Sequence, residues 1–334
     1  MSRFALGCVA GLAGACGPDA DDEPTSAEAT QVALPGVTGA VLLDDLHFAV
    51  GPRRVVAAPG GSRRVHRIDV DAATAESFTG FGSGAASADE AGGLLFVADR
   101  EARSIDVVEV SSGRILSDVL LDSTPDYVRH SSATNEVWVT EPSERRIEIL
   151  VFAAPASPVL RSAGFVVTGD RTEGLAFDVK RRRAFTHGSI GRLHVIDVDT
   201  RKVLDAWPTP CATSHGIPTV DEANGFVFVG CLERAAVGVL STKDNGQQLG
   251  AFELGTGQSA LAYSPQLHHF YLRGDPGKEI AILDIPASGV PVLLGKLPTP
   301  ERGHVMAADD RAHLWVADPV AGRLLRFRDA FAPR

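Results

Sequence analysis

Five polar side chains recur in this sequence at nearly even intervals: Asp126, Glu173, His215, Gln258 and His304. They stand in STPDYV (123–128), DRTEGL (170–175), ATSHGI (212–217), TGQSAL (256–261) and ERGHVM (301–306), each at or near the start of a short apolar run. Brought to one place, two carboxylates, two imidazoles and an amide could bind a cation, an anion or a polar organic molecule. The same set suits a channel-bound metal or acid–base catalysis. No two of them sit at i, i+2 or i, i+4 within one element, so the spacing is not that of a dedicated metal motif. The chain also has no nucleophile elbow and no Gly-rich phosphate loop. A water-filled channel needs polar lining in any case, so these residues name a place before they name a ligand.

The elements that carry them are short strands. With 34 glycines and 20 prolines in 334 residues, turns are frequent, and no 12-residue window holds an uninterrupted helical stripe. Residues 184–204, AFTHGSIGRLHVIDVDTRKVL, read as strand, Gly turn, strand, polar turn and the start of a third strand. This unit repeats. HVIDV (194–198) aligns with HRIDV (66–70), DVVEV (106–110), EILVF (148–152), GVLST (238–242), AILDI (281–285) and LRFRD (325–329). The fourth residues of these runs, taken along the chain, are spaced by 40, 42, 46, 44, 43 and 44. A second mark lies twelve or thirteen residues earlier, at Val56, Phe96, Trp138, Phe185, Phe228, Tyr271 and Trp315.

Seven units in phase on two marks, each with room for about four strands, predict an all-β, seven-bladed β-propeller of four-stranded antiparallel blades. Strands apolar on consecutive residues, such as GFVFV (225–229), suit blades buried on both faces. The last unit, from about 301, has room for three strands. The N-terminal segment around 31–37 (QVALPGV) is expected to supply the fourth and close the ring. In that fold the first residues of each innermost strand converge on a central channel. There the five polar residues meet, with His47 or Asp45 from the first blade and Gly84–Ala85 from the second.

FTHGSIGRLHVIDVDTRKVL (185–204) and FVADREARSIDVVEVSSGRIL (96–116) resemble the YVTN repeat of seven-bladed propellers, and the likeness extends over nearly all of residues 40–330. It implies the fold. It does not fix the function, because such propellers include binding proteins, surface proteins and a few enzymes. Lactone-hydrolysing and lyase propellers place acids or histidines in the channel region, which keeps an enzyme acting on a small polar substrate as the alternative. The first reading is a non-catalytic binding or scaffold module with a protein partner or a small polar ligand.

Residues 1–16 carry Arg3, an uncharged run from Phe4 to Ala15, and Cys16. Such a run is too short to span a bilayer and fits an export signal. Ala13, Gly14 and Ala15 before Cys16 resemble a bacterial lipobox, although Leu12 lies one position further from the cysteine than the commonest pattern. Lipidation of Cys16 would make the membrane a partner and place the protein outside the cytoplasm, on the periplasmic or cell-surface side. Residues 17–30 are acidic and lack large apolar side chains, as a tether would be, leaving 31–334 as the propeller. The formal net charge of −10 excludes a general nucleic-acid binder, and a monomer is expected.

Cys211 precedes the innermost strand of the fifth unit and Cys231 follows the next strand. Those strands run antiparallel, so both cysteines reach the same end of the blade, and in an exported chain they are expected to pair. Two buried thiols, or a metal site shared with His215, are the other readings. His268 and His269, and the cation run Lys180 to Arg183, read as solvated turns.

Overall fold

The two sequence marks lie on adjacent paired strands, offset by two residues. Phe96 faces Val107, Trp138 faces Ile149, Phe185 faces Val195 and Tyr271 faces Ile282. In each case the partner lies two residues before the third-strand mark, so both marks report one register in one hairpin. The marks on the second strands are at most 1% exposed, buried between neighbouring blades. This is why the second and third strands are apolar without alternation.

The computed structural model describes residues 29–154, 157–303 and 305–333. It contains seven antiparallel sheets of four strands each. The innermost strands are Leu42–Ala49, Ala85–Ala91, Val128–Ser131, Glu173–Asp178, Ser214–Asp221, Gln258–Ser264 and Met306–Ala308. Six blades are built from consecutive strands. The seventh joins Met306–Ala308, His313–Asp318 and Arg323–Arg328 to Thr30–Ala33 from the other end of the chain. Val32 pairs with Leu324, and Val32 and Leu34 pack into the core between the seventh and first blades. The ring therefore closes as the sequence led one to expect. A single 3-10 turn, Pro142–Glu144, is the only helical element among the described residues, and none of their helices could cross a membrane. The segments read as signal and most of the tether, Cys16 included, lie outside the described residues.

Between the first and second strands the chain makes tight turns through left-handed residues, among them Arg53, Asn135, Arg182 and His268. Lys180–Arg183 is such a turn, with Arg181 bonded to Asp178 and to the Glu222 carbonyl of the next blade. Of His268 and His269, the first stays exposed in its turn and the second departs from the solvated-turn expectation. His269 opens a strand, is buried, and places Nδ1 2.9 Å from Asp329, which also accepts from the Tyr271 hydroxyl. The alternation of a strand turns one neighbour inward just as the turn ends, and the buried carboxylate of the last blade meets it.

Candidate functional site

On the face where the innermost strands begin, a cavity of about 260 Å³ opens on the propeller axis. All seven blades contribute to its wall: Asp44, Arg100, Asp126, Tyr127, Arg171, Glu173, His215, Gly216, Ile217, Ser259, Ala260, Leu261, Val305 and Met306. Below it lies a second, mostly apolar cavity of about 370 Å³, reached past Ile217, Leu261 and Met306, which line both. The axis is thus a polar vestibule above an apolar collar.

Glu173 and His215 are aimed by their own sequence. Each is followed by a glycine with positive φ, Gly174 at 67° and Gly216 at 79°, and each stands at the first or second position of a strand whose register shifts within the next few residues. A bulge of this kind turns a side chain out of the ladder and toward the axis. At Gly174 a Cβ would lie 2.5 Å from the Gly216 carbonyl oxygen, so the two motifs also need glycine to pack against each other. His215 Nδ1 is 2.8 Å from Glu173 Oε1. A nitrogen this close to a carboxylate oxygen carries a proton, so Nδ1 donates to Glu173. Burial raises the Glu173 carboxyl, but the bond and charge from His215 outweigh it and hold the group below its ordinary value.

Across the cavity, Arg100 bridges two carboxylates, with Nη1 2.5 Å from Asp44 Oδ2 and Nη2 2.6 Å from Asp126 Oδ1. Burial pushes Asp126 up to about 6 despite the guanidinium, helped by the negative charge of Glu173. Tyr127, its hydroxyl 3.3 Å from the Asp44 carbonyl, is held protonated by burial.

Asp126, Glu173 and His215 line this one cavity. Gln258 opens its strand outside the wall, where Ser259 stands instead, bonded to the Arg234 and Ala236 carbonyls of the fifth blade. His304 lies outside the described residues. The first blade contributes Asp44, not Asp45 or His47, because a register shift between Leu43 and Leu46 turns those two away. Asp45 is buried against Arg129, and His47 lies 3.3 Å from Asp89. At the second blade Gly84 offers no side chain. Asp99 and Glu101 crowd the place a Cβ would take there, and Arg100 enters the wall from the turn after the second strand, its backbone N–H donating to the Gly84 carbonyl at 2.9 Å. Nothing in the repeat marks that turn as channel-facing; the one signal is the glycine where other blades carry a polar residue. Among the described residues no three His, Cys, Asp or Glu side chains are grouped to hold a metal ion.

Near the cavity mouth the sulfurs of Cys211 and Cys231 lie 1.98 Å apart, with Cα atoms 5.1 Å apart. Ser214 pairs with Cys231 in the ladder that carries His215, so this link braces the strand that presents the imidazole.

These features define a seven-bladed β-propeller with a polar axial cavity. Solved structures of the same architecture include the β-propeller domain of Cps50 (Swd1) from Myceliophteria thermophila, with TM-score 0.71, 12% identity, and coverage of 90% of this chain and 99% of that one. A chain of a mitotic checkpoint complex matches with TM-score 0.73 and 15% identity, over 98% of this chain and 99% of that one. A chain of hydrazine synthase from Kuenenia stuttgartiensis matches with TM-score 0.71 and 13% identity, over 91% and 99%. At these identities the likeness is one of fold. No protein-family model matches the chain, and no curated protein matches it.

Proposed function

We propose that the chain is an exported, membrane-tethered binding module that holds a small polar ligand in its axial cavity. The observation that carries this reading is the convergence of seven blades on opposed groups, the Asp44–Arg100–Asp126 bridge and the Glu173–His215 pair. The cavity, at about 260 Å³, falls just below the size range of drug-like sites, about 300–1,000 Å³, so the ligand is small. The fold itself is neutral, since matching chains come from a checkpoint complex and from hydrazine synthase. A panel of small polar metabolites, read by thermal shift, should yield a ligand that stabilises the wild type and not Arg100→Met or Glu173→Gln. At a hundredfold excess over Kd that stabilisation is about 2.7 kcal/mol. A ligand that stabilises all three alike, or a protein partner as the sole binder, would overturn the axial reading.

One observation favours an enzyme as the second reading. An imidazole oriented by a carboxylate, facing a carboxyl pushed up to about 6 by burial, is an arrangement for acid–base chemistry. His215→Gln should then retain ligand binding and lose turnover; a binder left unconverted by wild type and variant alike removes this reading.

Export is supported by the signal-like residues 1–16 and by the apposed cysteines. Protein extracted from membranes should carry lipid mass on Cys16 and no alkylatable thiol at Cys211 or Cys231. An unmodified Cys16 peptide rules out the lipid anchor, and two free thiols rule out the bond.

A further inference from the structure

Two residues beyond the second-strand mark, most blades carry a small residue: Ala58, Ala98, Thr140, Gly230 and Ala317. The fourth blade carries His187 there and the sixth Arg273. His187 is 0% exposed. Its Nδ1 lies 2.9 Å from the Gly216 carbonyl oxygen of the fifth blade, so Nδ1 carries the proton and Nε2 is an acceptor. That Nε2 is buried and has no hydrogen-bond partner. A buried orphan of this kind is destabilising, and a ligand donating to it would relieve that cost.

His187 lines a second pocket, about 180 Å³, between the fourth and fifth blades. It opens beside the axial cavity and shares Arg171, Glu173 and His215 with it. Two more acceptors stand in the same wall. Glu173 faces His187 directly across the ladder. The Ser189 hydroxyl, in the same wall, donates its proton to Asp170 and so can only accept from a ligand. Bonds from Ser189 and from backbone N–H groups hold Asp170 ionised against its burial, and burial keeps His187 neutral, its pKa lowered to about 4. The wall offers acceptors at Glu173, His187 and Ser189, and its one carboxylate, Glu173, lies 3.3 Å from the Arg171 guanidinium and 2.8 Å from His215, which line the same pocket.

We propose that this side pocket is a subsite for a primary ammonium group, whose three N–H bonds match the acceptors of Glu173, His187 and Ser189. It rests on the axial reading, in that the ammonium would be one end of a ligand whose remainder occupies the vestibule. A hydroxyl group offers one donor and no charge, and fits this wall less well.

The test is calorimetric titration at pH 7 of matched pairs, propylamine with propan-1-ol and 1,4-diaminobutane with butane-1,4-diol. The proteins are the wild type, His187→Phe, His187→Leu and Arg100→Met, each first shown to fold by its urea midpoint. The amines should bind at least tenfold more tightly than the alcohols, and the preference should vanish in whichever His187 variant folds. Equal affinity for amines and alcohols, amine affinity unchanged in the His187 variants, or no amine binding at millimolar concentration would each overturn the subsite. Loss of amine binding in Arg100→Met alone keeps the axial reading and overturns this one. Loss in the His187 variants alone keeps the subsite and removes the axial reading.

Discussion

Removing residues 1–38 should lower stability by about 4 kcal/mol or more, whereas removing residues 1–28 should leave it almost unchanged. The longer cut deletes the strand Thr30–Ala33, whose four residues pair with Arg323 to Arg326. It also deletes Val32 and Leu34, which are 2% and 3% exposed. Burying such side chains contributes about 1.5–3 kcal/mol each. The cut further leaves an open sheet edge on Arg323–Arg328, an invitation to pair with another chain. Urea unfolding of both truncations reads the difference, and the longer one should also sediment as larger species. Coincident unfolding curves would mean that the ring is held without this strand.

The second large effect is expected at Arg129. Its guanidinium, 3% exposed, grips Asp45, 1% exposed, through Nη1 to Oδ2 at 2.8 Å and Nη2 to Oδ1 at 2.7 Å. Ser87 donates to the same carboxylate at 2.6 Å and accepts from the Val128 N–H. The network ties the innermost strands of the first three blades together. Arg129→Met strands a buried carboxylate, which costs about 3–5 kcal/mol. Adding Asp45→Leu removes the stranded charge and should recover part of that loss. Denaturation of the single and double variants decides it; a single variant as stable as wild type would show that Asp45 finds water or another partner.

Repetition is what made the fold legible. One blade's pattern is a weak signal, but Phe96 and Glu109 report the same hairpin as Tyr271 and Asp284, so seven weak signals reinforce one another. Closure was legible from a count, since the last unit lacks room for a fourth strand. The site was only partly legible. Asp126, Glu173 and His215 follow from position in the repeat, because they begin or immediately precede innermost strands. Asp44 was displaced onto its neighbours by a register shift that the spacing does not encode. Arg100 comes from a different turn, tied by its backbone to Gly84, and nothing in the repeat marks that turn as facing the channel. His187 carried a signal that was not read: a large titratable residue where other blades keep a small one. His269 was hidden by the turn beside it, since burial there depends on Asp329, sixty residues away.

The way the seventh blade is assembled also sets an order in time. Synthesis runs from the N-terminus, so Thr30–Ala33 emerges first and waits for its partner, Arg323–Arg328, until nearly all of the chain has followed. Gln31 and Arg323, bonded in the finished ring, are 292 residues apart. Until then the growing protein is an open arc with two unsatisfied ends. Under the export proposed above, this delay would suit a chain that crosses the membrane unfolded, because the step that locks the ring is deferred until the last blade has been delivered.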